Sequence, residues 1–282
     1  MPTLFGAKKN ITMYRRVVSL GRKVLFRLPV LPTYLIEEAG LTRIGDFNPQ
    51  DIFIVGYPKS GNTWFQHMVC ELVYGIDTRI APDALIEQLT GADDSKSYYS
   101  RVSTPMYFKS HFLPRPEYRR VVYLLRDGRD AMVSYFHHIK AIEHLSELDK
   151  MDVVRNGTYL SPCKWYEHVE RWLENPYTAN ILLIKYEDMK TSPAEVLHKF
   201  CDFAGIDRDD SYIEQVIART SFSEMKKKEV AVGWANENWP KDQTFVRRGI
   251  VGSYKDEMPP DVLTEFLEQS AATLRKVGYS VD

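Results

Sequence analysis

Three short apolar runs, rich in β-branched and aromatic residues, most constrain the fold of this chain. They cover residues 52–55, 121–125 and 181–184. Each run is followed by a turn and then by a helical pattern, at residues 63–73, 129–141 and 194–204. Strands that are apolar on both faces and alternate with helices are typical of a parallel sheet covered on both sides. The sequence therefore predicts an α/β fold with a central parallel sheet flanked by helices.

Helical periodicity predicts three further helices, at residues 164–174, 209–219 and 261–276. The helix at 194–204 has a start signal of its own, with Ser192 as the N-cap, Pro193 in the first helical position and Glu195 placed to complete a capping box. In a parallel sheet, ligands bind beyond the carboxyl ends of the strands. We therefore expect functional residues directly after Val55, Leu125 and Ile184.

The charge balance and the cysteines narrow the class of protein. With 37 Lys+Arg against 38 Asp+Glu in 282 residues, neither a disordered chain nor a protein that coats nucleic acid fits. Cys70, Cys163 and Cys201 lie far apart, which favours a reducing, cytoplasmic location over a disulfide framework or a zinc site. No repeat or linker divides the chain, so we expect one domain at residues 46–282, preceded by a basic segment at residues 1–45.

The basic segment carries seven cations before its first acidic residue, Glu37. A basic amphipathic helix here could pack on the domain with its charges in water, which we favour, or lie on an anionic membrane. It cannot span a membrane, because the uncharged stretch at residues 28–36 contains two prolines and falls short of the roughly 20 residues required. Charges also interrupt the position where a secretory signal would have its apolar core.

The turn after the first strand has the features of a phosphate-binding loop. Residues 56–63 read GYPKSGNT, which keeps both glycines and the threonine of the nucleotide loop G-x-x-x-x-G-K-[ST]. Asn62 occupies the lysine position, and Lys59 stands three residues earlier. A strand, a glycine-bounded loop and a helix start direct backbone N–H groups and a helix dipole at an anion. The displaced lysine indicates a donor different from a nucleoside triphosphate.

Two other segments carry cations suited to phosphate. Arg126 follows the second strand, and Ser134 lies eight residues further on, in the next helix. Arg247 and Arg248 are followed by Gly249 in a loop near the carboxyl end. A guanidinium can direct two donors at one phosphate, and a serine hydroxyl can add a third.

Together with YED at residues 186–188, TSF at 220–222 and KSHFLP at 109–114, these segments resemble the cytosolic sulfotransferase family. The resemblance extends from Pro49 to Gly252. It implies a transferase that moves a sulfuryl group from 3′-phosphoadenosine 5′-phosphosulfate (PAPS) to a hydroxyl or amino group of a small molecule. The product of the donor would be adenosine 3′,5′-bisphosphate (PAP). The turn at residues 56–63 would then be a P-loop-like phosphosulfate-binding loop.

The resemblance also implies which residues hold the donor. The loop and the helix start would bind the phosphosulfate, Arg126, Ser134 and the Arg-Arg-Gly loop would bind the 3′-phosphate, and aromatic residues would bind adenine. The residues expected to contact the donor are Lys59, Ser60, Gly61, Asn62, Thr63, Trp64, Arg126, Ser134, Tyr186, Thr220, Ser221, Phe222, Phe245, Val246, Arg247, Arg248 and Gly249. Arg129 and Asp130, beside them, are interpreted as a local ion pair or caps.

By the same resemblance, His111 is the general base that takes the acceptor proton. Imidazole suits this role because its ordinary pKa is the closest to neutrality among side chains. Lys109 lies two residues before His111 on an extended segment and therefore points to the same side as His111. Together with Lys59, it would offset negative charge on the transferring group. We therefore assign His111, Lys59 and Lys109 as catalytic. The family uses no metal, and none is expected here.

Departures from the family pattern are Asn62, Ser110, Phe112 and Arg248, none of which removes a role. The dimer motif of animal members is missing, which suggests a bacterial-type member and leaves the oligomeric state open. Residues 77–103 and 143–156 match no signature and are expected to form the acceptor mouth, with residues 234–241 as a lid. The acidic residues of the second segment either favour a cationic acceptor or face water, and we favour water. They are Glu143, Glu147, Asp149 and Asp152.

Two other functions remain open from the sequence. One is a P-loop small-molecule kinase, against which Asn62 stands in place of the loop lysine. The other is a non-catalytic membrane-surface or nucleotide-binding module, suggested by the basic amino-terminal segment. No nucleic-acid partner is expected.

Overall fold

The computed structural model describes residues 38–91, 97–234 and 239–281. The strands are β1 (Thr42–Arg43), β2 (Ile52–Gly56), β3 (Tyr98–Tyr99), β4 (Tyr107–Ser110), β5 (Arg120–Leu125) and β6 (Asn180–Lys185). The helices are α1 (Asn62–Tyr74), α2 (Asp83–Thr90), α3 (Gly128–Ile142), α4 (Lys150–Asn156), α5 (Trp165–Glu174), α6 (Tyr186–Thr191), α7 (Pro193–Ala204), α8 (Asp210–Arg219), α9 (Phe222–Val232), α10 (Tyr254–Glu257) and α11 (Pro260–Lys276).

The central sheet has the strand order β4-β2-β5-β6, and every neighbouring pair is parallel. Val55 pairs with Ser110 on one side and with Tyr123 on the other, and Leu124 pairs with Ile184. The carboxyl ends of the four strands therefore lie at one edge of the sheet. The residues that follow β2, β4, β5 and β6 meet at that edge. The predicted α/β fold with a central parallel sheet is confirmed.

Alternate residues of the strands face two separate cores. Phe53, Val55 and Tyr123 pack with side chains of α3, α5 and α11 on one face. Ile54 and Val122 pack with α1, α7 and α8 on the other face. These strand residues are almost fully buried, which explains why β2 and β5 are apolar on both faces.

All nine predicted strands and helices are present within one residue of their expected bounds. Among the elements that were not predicted is the strand β4. It is an edge strand of four residues, and Lys109 and Ser110 interrupt its apolar pattern. The capping box predicted at α7 is wrong. Ser192 is the N-cap, but it also ends α6, and its side chain makes no capping hydrogen bond.

The amino-terminal prediction lies mostly outside the described residues, which begin at residue 38. Residues 38–45 contain β1, which pairs antiparallel with β3, and Leu41 is buried. Among the described residues, no helix combines the length and apolar character needed to cross a bilayer. The division at residue 45 and the role of the basic segment stay predictions.

A buried carboxylate connects the start of β2 to the segment that leads into β4. Asp51 accepts hydrogen bonds from both terminal nitrogens of Arg101, at 2.9 and 2.8 Å, and from the Met106 backbone N–H at 2.8 Å. Its side chain is fully buried, whereas Arg101 is 27% exposed. This network holds β2 and β4 in register at their amino ends.

Replacing Asp51 with alanine should lower the free energy of unfolding by roughly 2 to 4 kcal/mol, because the Arg101 guanidinium and the Met106 N–H lose their acceptor. Urea titration followed by circular dichroism measures this. Asp77→Ala is the matched control, since Asp77 pairs with Arg79 at the surface and such pairs contribute about 1 kcal/mol or less. Equal losses in the two variants would contradict the prediction.

Candidate active site

A cavity of about 590 Å³ opens at the carboxyl edge of the sheet. The predicted site residues that line it are Lys59, Gly61, Asn62, Thr63, Trp64, Lys109, His111, Arg126, Ser134, Tyr186, Phe222, Phe245, Val246, Arg247, Arg248 and Gly249. These residues come from separate parts of the chain, and the parallel strands bring them together. The volume lies in the range of small-molecule and cofactor sites.

The loop after β2 has the backbone geometry of an anion site. Lys59 and Gly61 have positive φ angles of 73° and 99°, and α1 begins directly after Gly61. This turn aims the first N–H groups of α1 at the cavity, where the helix dipole favours negative charge. A Cβ at Gly61 would lie 2.8 Å from Cδ2 of Tyr186, so only glycine lets the loop approach that ring.

The side chain of Asn62 connects the loop to β2. Its Nδ2 donates to the carbonyl oxygen of Ile54 at 3.4 Å, and its side chain is nearly fully buried. The position that holds a lysine in nucleotide-triphosphate loops is therefore bound to the middle of β2. The positive charge of the loop comes from Lys59 instead.

Lys59 lies among other cations. Its Nζ is 4.0 Å from the ring centroid of Phe245, a cation–π contact. Burial, followed by the charges of Arg126, Lys109 and Arg247, lowers the pKa of Lys59 to about 7. These surroundings disfavour the lysine's own charge and favour an added anion.

Arg126 connects three parts of the site. It donates to the carbonyl oxygen of Lys59 at 3.0 Å and to that of Ile250 at 3.4 Å. Its guanidinium carbon lies 4.3 Å from the ring centroid of Tyr186. One side chain at the end of β5 thus fixes the phosphate loop, the Arg-Arg-Gly loop and the aromatic side of the cavity.

The Arg-Arg-Gly loop is held at both ends by carboxylates. Arg247 and Arg248 each donate to one oxygen of Glu257. Although burial opposes it, the hydrogen bonds from Arg247 and His137 lower the pKa of Glu257. At the far end, Asp130 accepts from the backbone N–H of Gly252 at 2.6 Å and of Tyr254 at 2.9 Å.

Arg129 and Asp130 have the local roles that their positions indicated. Arg129 pairs with Asp127 at 2.7 Å, and neither Arg129 nor Asp130 lines the cavity. Asp130 has a structural task that the sequence did not suggest, because it anchors the loop that carries Arg247 and Arg248 to the start of α3.

Replacing Asp130 with alanine should weaken PAP binding by about tenfold, or about 1.4 kcal/mol, because the loop loses its anchor while both arginines remain. Isothermal titration calorimetry with PAP measures the change. Asp256→Ala is the control, since this exposed residue of α10 follows the loop closely in sequence and does not line the cavity. Equal PAP affinity in the two variants would show that the anchor does not matter.

The aromatic side of the cavity is formed around Tyr186. The Trp64 ring meets the Tyr186 ring edge to face at 5.8 Å, and Trp64 Nε1 donates to the Thr220 carbonyl oxygen at 2.8 Å. Gly249 has a φ of 60°, and a Cβ there would lie 2.6 Å from Cδ2 of Phe222. Aromatic faces spaced in this way suit a planar base.

Three residues predicted to contact the donor do not line the cavity. The Ser60 side chain is fully buried, and the Thr220 hydroxyl donates to the Val216 carbonyl oxygen at 2.7 Å. Ser221 is the N-cap of α9 and accepts from the Glu224 N–H. The backbone turns these side chains inward or along the helix. Their contact with the donor stays a prediction.

His111 follows β4 and faces the phosphate loop. Its Nδ1 lies 2.7 Å from the carbonyl oxygen of Gly56. Because a carbonyl oxygen only accepts, Nδ1 carries the hydrogen and the neutral ring has its lone pair on Nε2. Lys109, two residues earlier, lines the same cavity, and its Nζ is 3.8 Å from Glu87.

Several cavity residues were missed, although helical spacing could have found three of them. His67, His138 and Lys190 each lie four residues after a predicted site residue on a helix, and all three line the cavity. Burial and nearby cations lower the pKa of His67 to about 4 and that of His138 to about 3. Both imidazoles are therefore neutral at pH 7.

The acidic residues at the cavity differ from those that the sequence suggested. Asp83 and Glu87 of α2 line it, paired with Lys228 and Lys109. The carboxylates considered for the acceptor mouth do not line the cavity; they are Glu143, Glu147, Asp149 and Asp152. Asp149 is the N-cap of α4.

The segment predicted as a lid is described only in part, because residues 235–238 fall outside the described ranges. Trp234 lines the cavity and stacks on Phe245 at 4.0 Å, and Trp239 meets the same ring edge to face. In the described part of the chain, no group of three or more His, Cys, Asp or Glu residues is arranged to hold a metal ion.

One cavity at the edge of the parallel sheet is lined by a phosphate-type loop, two arginine elements and a histidine. This combination of fold and site defines a P-loop-like group-transfer enzyme. The sulfotransferase domain family matches residues 49–278, and this chain belongs to that family of PAPS-dependent enzymes. It is 26% identical to Sulfotransferase 1E1 of Bos taurus over 253 residues, covering 82% of this chain and 86% of the relative. It is 28% identical to Sulfotransferase 1A1 of Canis lupus familiaris, with 80% and 84% covered.

Solved structures agree with this assignment. The crystal structure of mouse sulfotransferase SULT7A1 complexed with PAP aligns with a TM-score of 0.62 at 26% identity, covering 83% of this chain and 86% of the mouse chain. Retinol dehydratase in complex with androsterone and PAP aligns with a TM-score of 0.63 at 20% identity, covering 84% of this chain and 83% of that chain, and shares the fold.

Proposed function

We propose that this sulfotransferase moves a sulfuryl group from PAPS to a hydroxyl or amino group of a small-molecule acceptor, with His111 as the general base. The observation that carries the proposal is the convergence of the phosphate loop, Arg126, the Arg247–Arg248 pair and His111 on one cavity. PAP in the related mouse structure supports PAPS as the donor.

The two ends of the donor have separate places in the cavity. The 5′-phosphosulfate lies on the loop and the start of α1, where Lys59 faces it. The 3′-phosphate lies between Arg126, Ser134 and the Arg-Arg-Gly loop, which supply three guanidinium groups. Adenine lies against Trp64, Tyr186 and Phe222. All of these side chains line the same cavity.

The transfer is an in-line displacement at sulfur. The acceptor oxygen or nitrogen forms a bond to sulfur as the bond from sulfur to the bridging oxygen breaks, and PAP leaves with that oxygen. Nε2 of His111 takes the acceptor proton, because Nδ1 already donates to Gly56. Lys59 and Lys109 stabilise negative charge on the bridging oxygen and the sulfuryl group, as cations do in phosphoryl transfer.

We place the acceptor end of the cavity beside His111; α2 and the stacked pair Trp234 and Phe245 line the same cavity. The carboxylates there are each paired with a lysine, so they add no net charge for a cationic acceptor. We assign the reaction to the cytoplasm, where the free cysteines Cys70, Cys163 and Cys201 stay reduced. No nucleic-acid partner is part of the proposal.

The test is a transfer assay with 35S-labelled PAPS and separate panels of phenols, alcohols, steroids, amines and cationic natural products. Labelled product from at least one panel, together with tight PAP binding in calorimetry, is the expected result. Titration with ATP is the parallel experiment for a kinase. Phosphorylation of an acceptor by ATP, with no binding of PAPS or PAP, would refute the proposal. Donor binding without transfer to any acceptor would favour a non-catalytic module.

A further inference from the structure

A second histidine, His168 of α5, holds the backbone of His111 without lining the cavity. His168 is fully buried, and its Nε2 lies 3.1 Å from the carbonyl oxygen of His111. Its Nδ1 lies 3.0 Å from the hydroxyl oxygen of Tyr123, in the middle of β5. The chain Tyr123–His168–His111 therefore connects the central strand to the residue assigned as the base.

The direction of each hydrogen bond in this chain follows from the partners. The His111 carbonyl can only accept, so Nε2 of His168 carries the hydrogen and donates it. Nδ1 of His168 then accepts the hydrogen of the Tyr123 hydroxyl. Burial lowers the pKa of His168 to about 3, so the ring is neutral and keeps one tautomer.

The ring of His168 has little freedom to move. It stacks on the ring of Tyr123 with centroids 5.8 Å apart and planes 18° apart, and it meets the ring of Tyr57 edge to face at 5.7 Å. Both tyrosines are fully buried. The hydrogen that His168 donates is thus held at a fixed place relative to β2 and β5.

The same helix fixes the next carbonyl as well. Trp172, one turn after His168, donates from Nε1 to the carbonyl oxygen of Phe112 at 3.1 Å. Two consecutive carbonyls are therefore bound by one helix, while the His111 side chain is bound through Nδ1 to Gly56. The backbone of His111 is thus held by α5 and its side chain by the end of β2, and both contacts restrict where Nε2 points.

We propose that His168 is a positioning residue for sulfuryl transfer: its hydrogen bond to the His111 carbonyl sets the place from which His111 removes the acceptor proton. The inference rests on the proposed role of His111. General-base catalysis needs the base within about 2.6–3.2 Å of the proton donor's heavy atom. Misplacement by about 1 Å can reduce a rate a hundredfold, even when it originates far from the reacting atoms.

The test is a double-mutant cycle with His111→Ala and His168→Phe, in which phenylalanine fills the space but cannot donate. His168→Phe alone is expected to lower kcat roughly tenfold to a hundredfold, with the PAP dissociation constant changed by less than about twofold. In the His111→Ala background, the same substitution should lower kcat by less than about twofold. A purely structural role would lower kcat equally in both backgrounds.

Two conservative variants keep the test decisive if His168→Phe does not fold. His168→Gln places an amide nitrogen near the position of Nε2 and should keep most of kcat. Tyr123→Phe removes the hydroxyl that donates to Nδ1 of His168, and it then takes the place of His168→Phe in the cycle: it should lower kcat in the native background and by less than about twofold with His111→Ala. Val169→Ala is the control on the same helix, because Val169 is fully buried and has no polar side-chain group. It should lower thermal stability and leave kcat within about twofold of the native value.

Imidazole 15N chemical shifts of His111 give a readout that is independent of turnover. We expect His168→Phe to change the His111 signals, while Val169→Ala leaves them unchanged. Full kcat in folded His168→Phe, or in Tyr123→Phe where His168→Phe does not fold, would overturn the inference, as would equal losses in both backgrounds of the cycle. Failure of the proposed function is distinguishable, because His111→Ala would then itself keep full activity.

Discussion

Replacing His111 with alanine is expected to lower kcat about 10²- to 10⁴-fold, the usual contribution of a positioned general base. PAP binding should change by less than about twofold, because the 3′-phosphate and adenine sides of the cavity are untouched. The reason lies in the bond from Nδ1 to Gly56, which leaves Nε2 of the neutral ring to take the acceptor proton. Steady-state kinetics with labelled PAPS and calorimetry with PAP separate the two effects.

His198→Ala is the matched control for this experiment. His198 pairs with Asp210 on the surface, with its side chain 44% exposed, and does not line the cavity. It should transfer the sulfuryl group at the native rate. Unchanged turnover of His111→Ala would remove His111 as the base, and loss of PAP binding in His111→Ala would mean that the histidine acts on the donor.

The sequence was most informative where a strand of the sheet centre ends. β2 and β5 are apolar on both faces because helices cover both sides, so their ends and the loop residues after them could be located. The positions of Lys59 and Arg126 in the site were predicted because ligands bind beyond the carboxyl ends of parallel strands. β4 is an edge strand with polar residues, and its pairing with β2 could not be read from its own pattern.

Some features of the site could not be predicted from the sequence, for two physical reasons. Ser60, Thr220 and Ser221 stand in the expected segments, but the local backbone directs their side chains away from the cavity, which a motif does not encode. Contacts between separate elements are the other cause. The contacts of Glu257 with Arg248 and of Asp130 with Gly252 depend on how two helices meet the loop at residues 247–252 in three dimensions.

Supporting contacts were missed for the same reason. His168 lies in a helix that was predicted almost to the residue, yet its bond to His111 joins residues 57 positions apart. In the sequence, a histidine on the buried face of an amphipathic helix looks the same whether it positions another residue or only fills the core. Its role becomes visible only when the partner of each ring nitrogen is known.

PAP should bind to the native protein more weakly as the pH rises from 7 to 9, and this dependence should disappear in Lys59→Met. In the free protein, burial and neighbouring cations lower the pKa of Lys59 to about 7, so the lysine loses its charge across this range. A bound anion favours the charged form and raises the pKa. Binding above pH 7 therefore takes up a proton, and the affinity falls by up to about tenfold per pH unit.

The charges of PAP and of two cavity histidines stay constant between pH 7 and 9. Phosphate has its second pKa near 6, so PAP keeps its full charge above pH 7 and cannot cause the loss of affinity. Lowered pKa values of about 4 for His67 and about 3 for His138 keep both imidazoles neutral throughout. Repeating the titration in His111→Ala removes the remaining cavity imidazole from the pH dependence.

Calorimetry at pH 8 in buffers of different ionisation enthalpy measures how many protons are taken up on binding. We expect uptake of about one proton per PAP. Lys59→Arg should bind PAP with no loss of affinity between pH 7 and 9, because a guanidinium stays charged. Lys59→Met should bind weakly at every pH and transfer about 10²- to 10³-fold more slowly, the usual cost of losing one electrostatic stabiliser. A native affinity that is flat over this range, without proton uptake, would show that Lys59 is already fully charged in the free protein. Its charge would then be balanced by groups other than the donor.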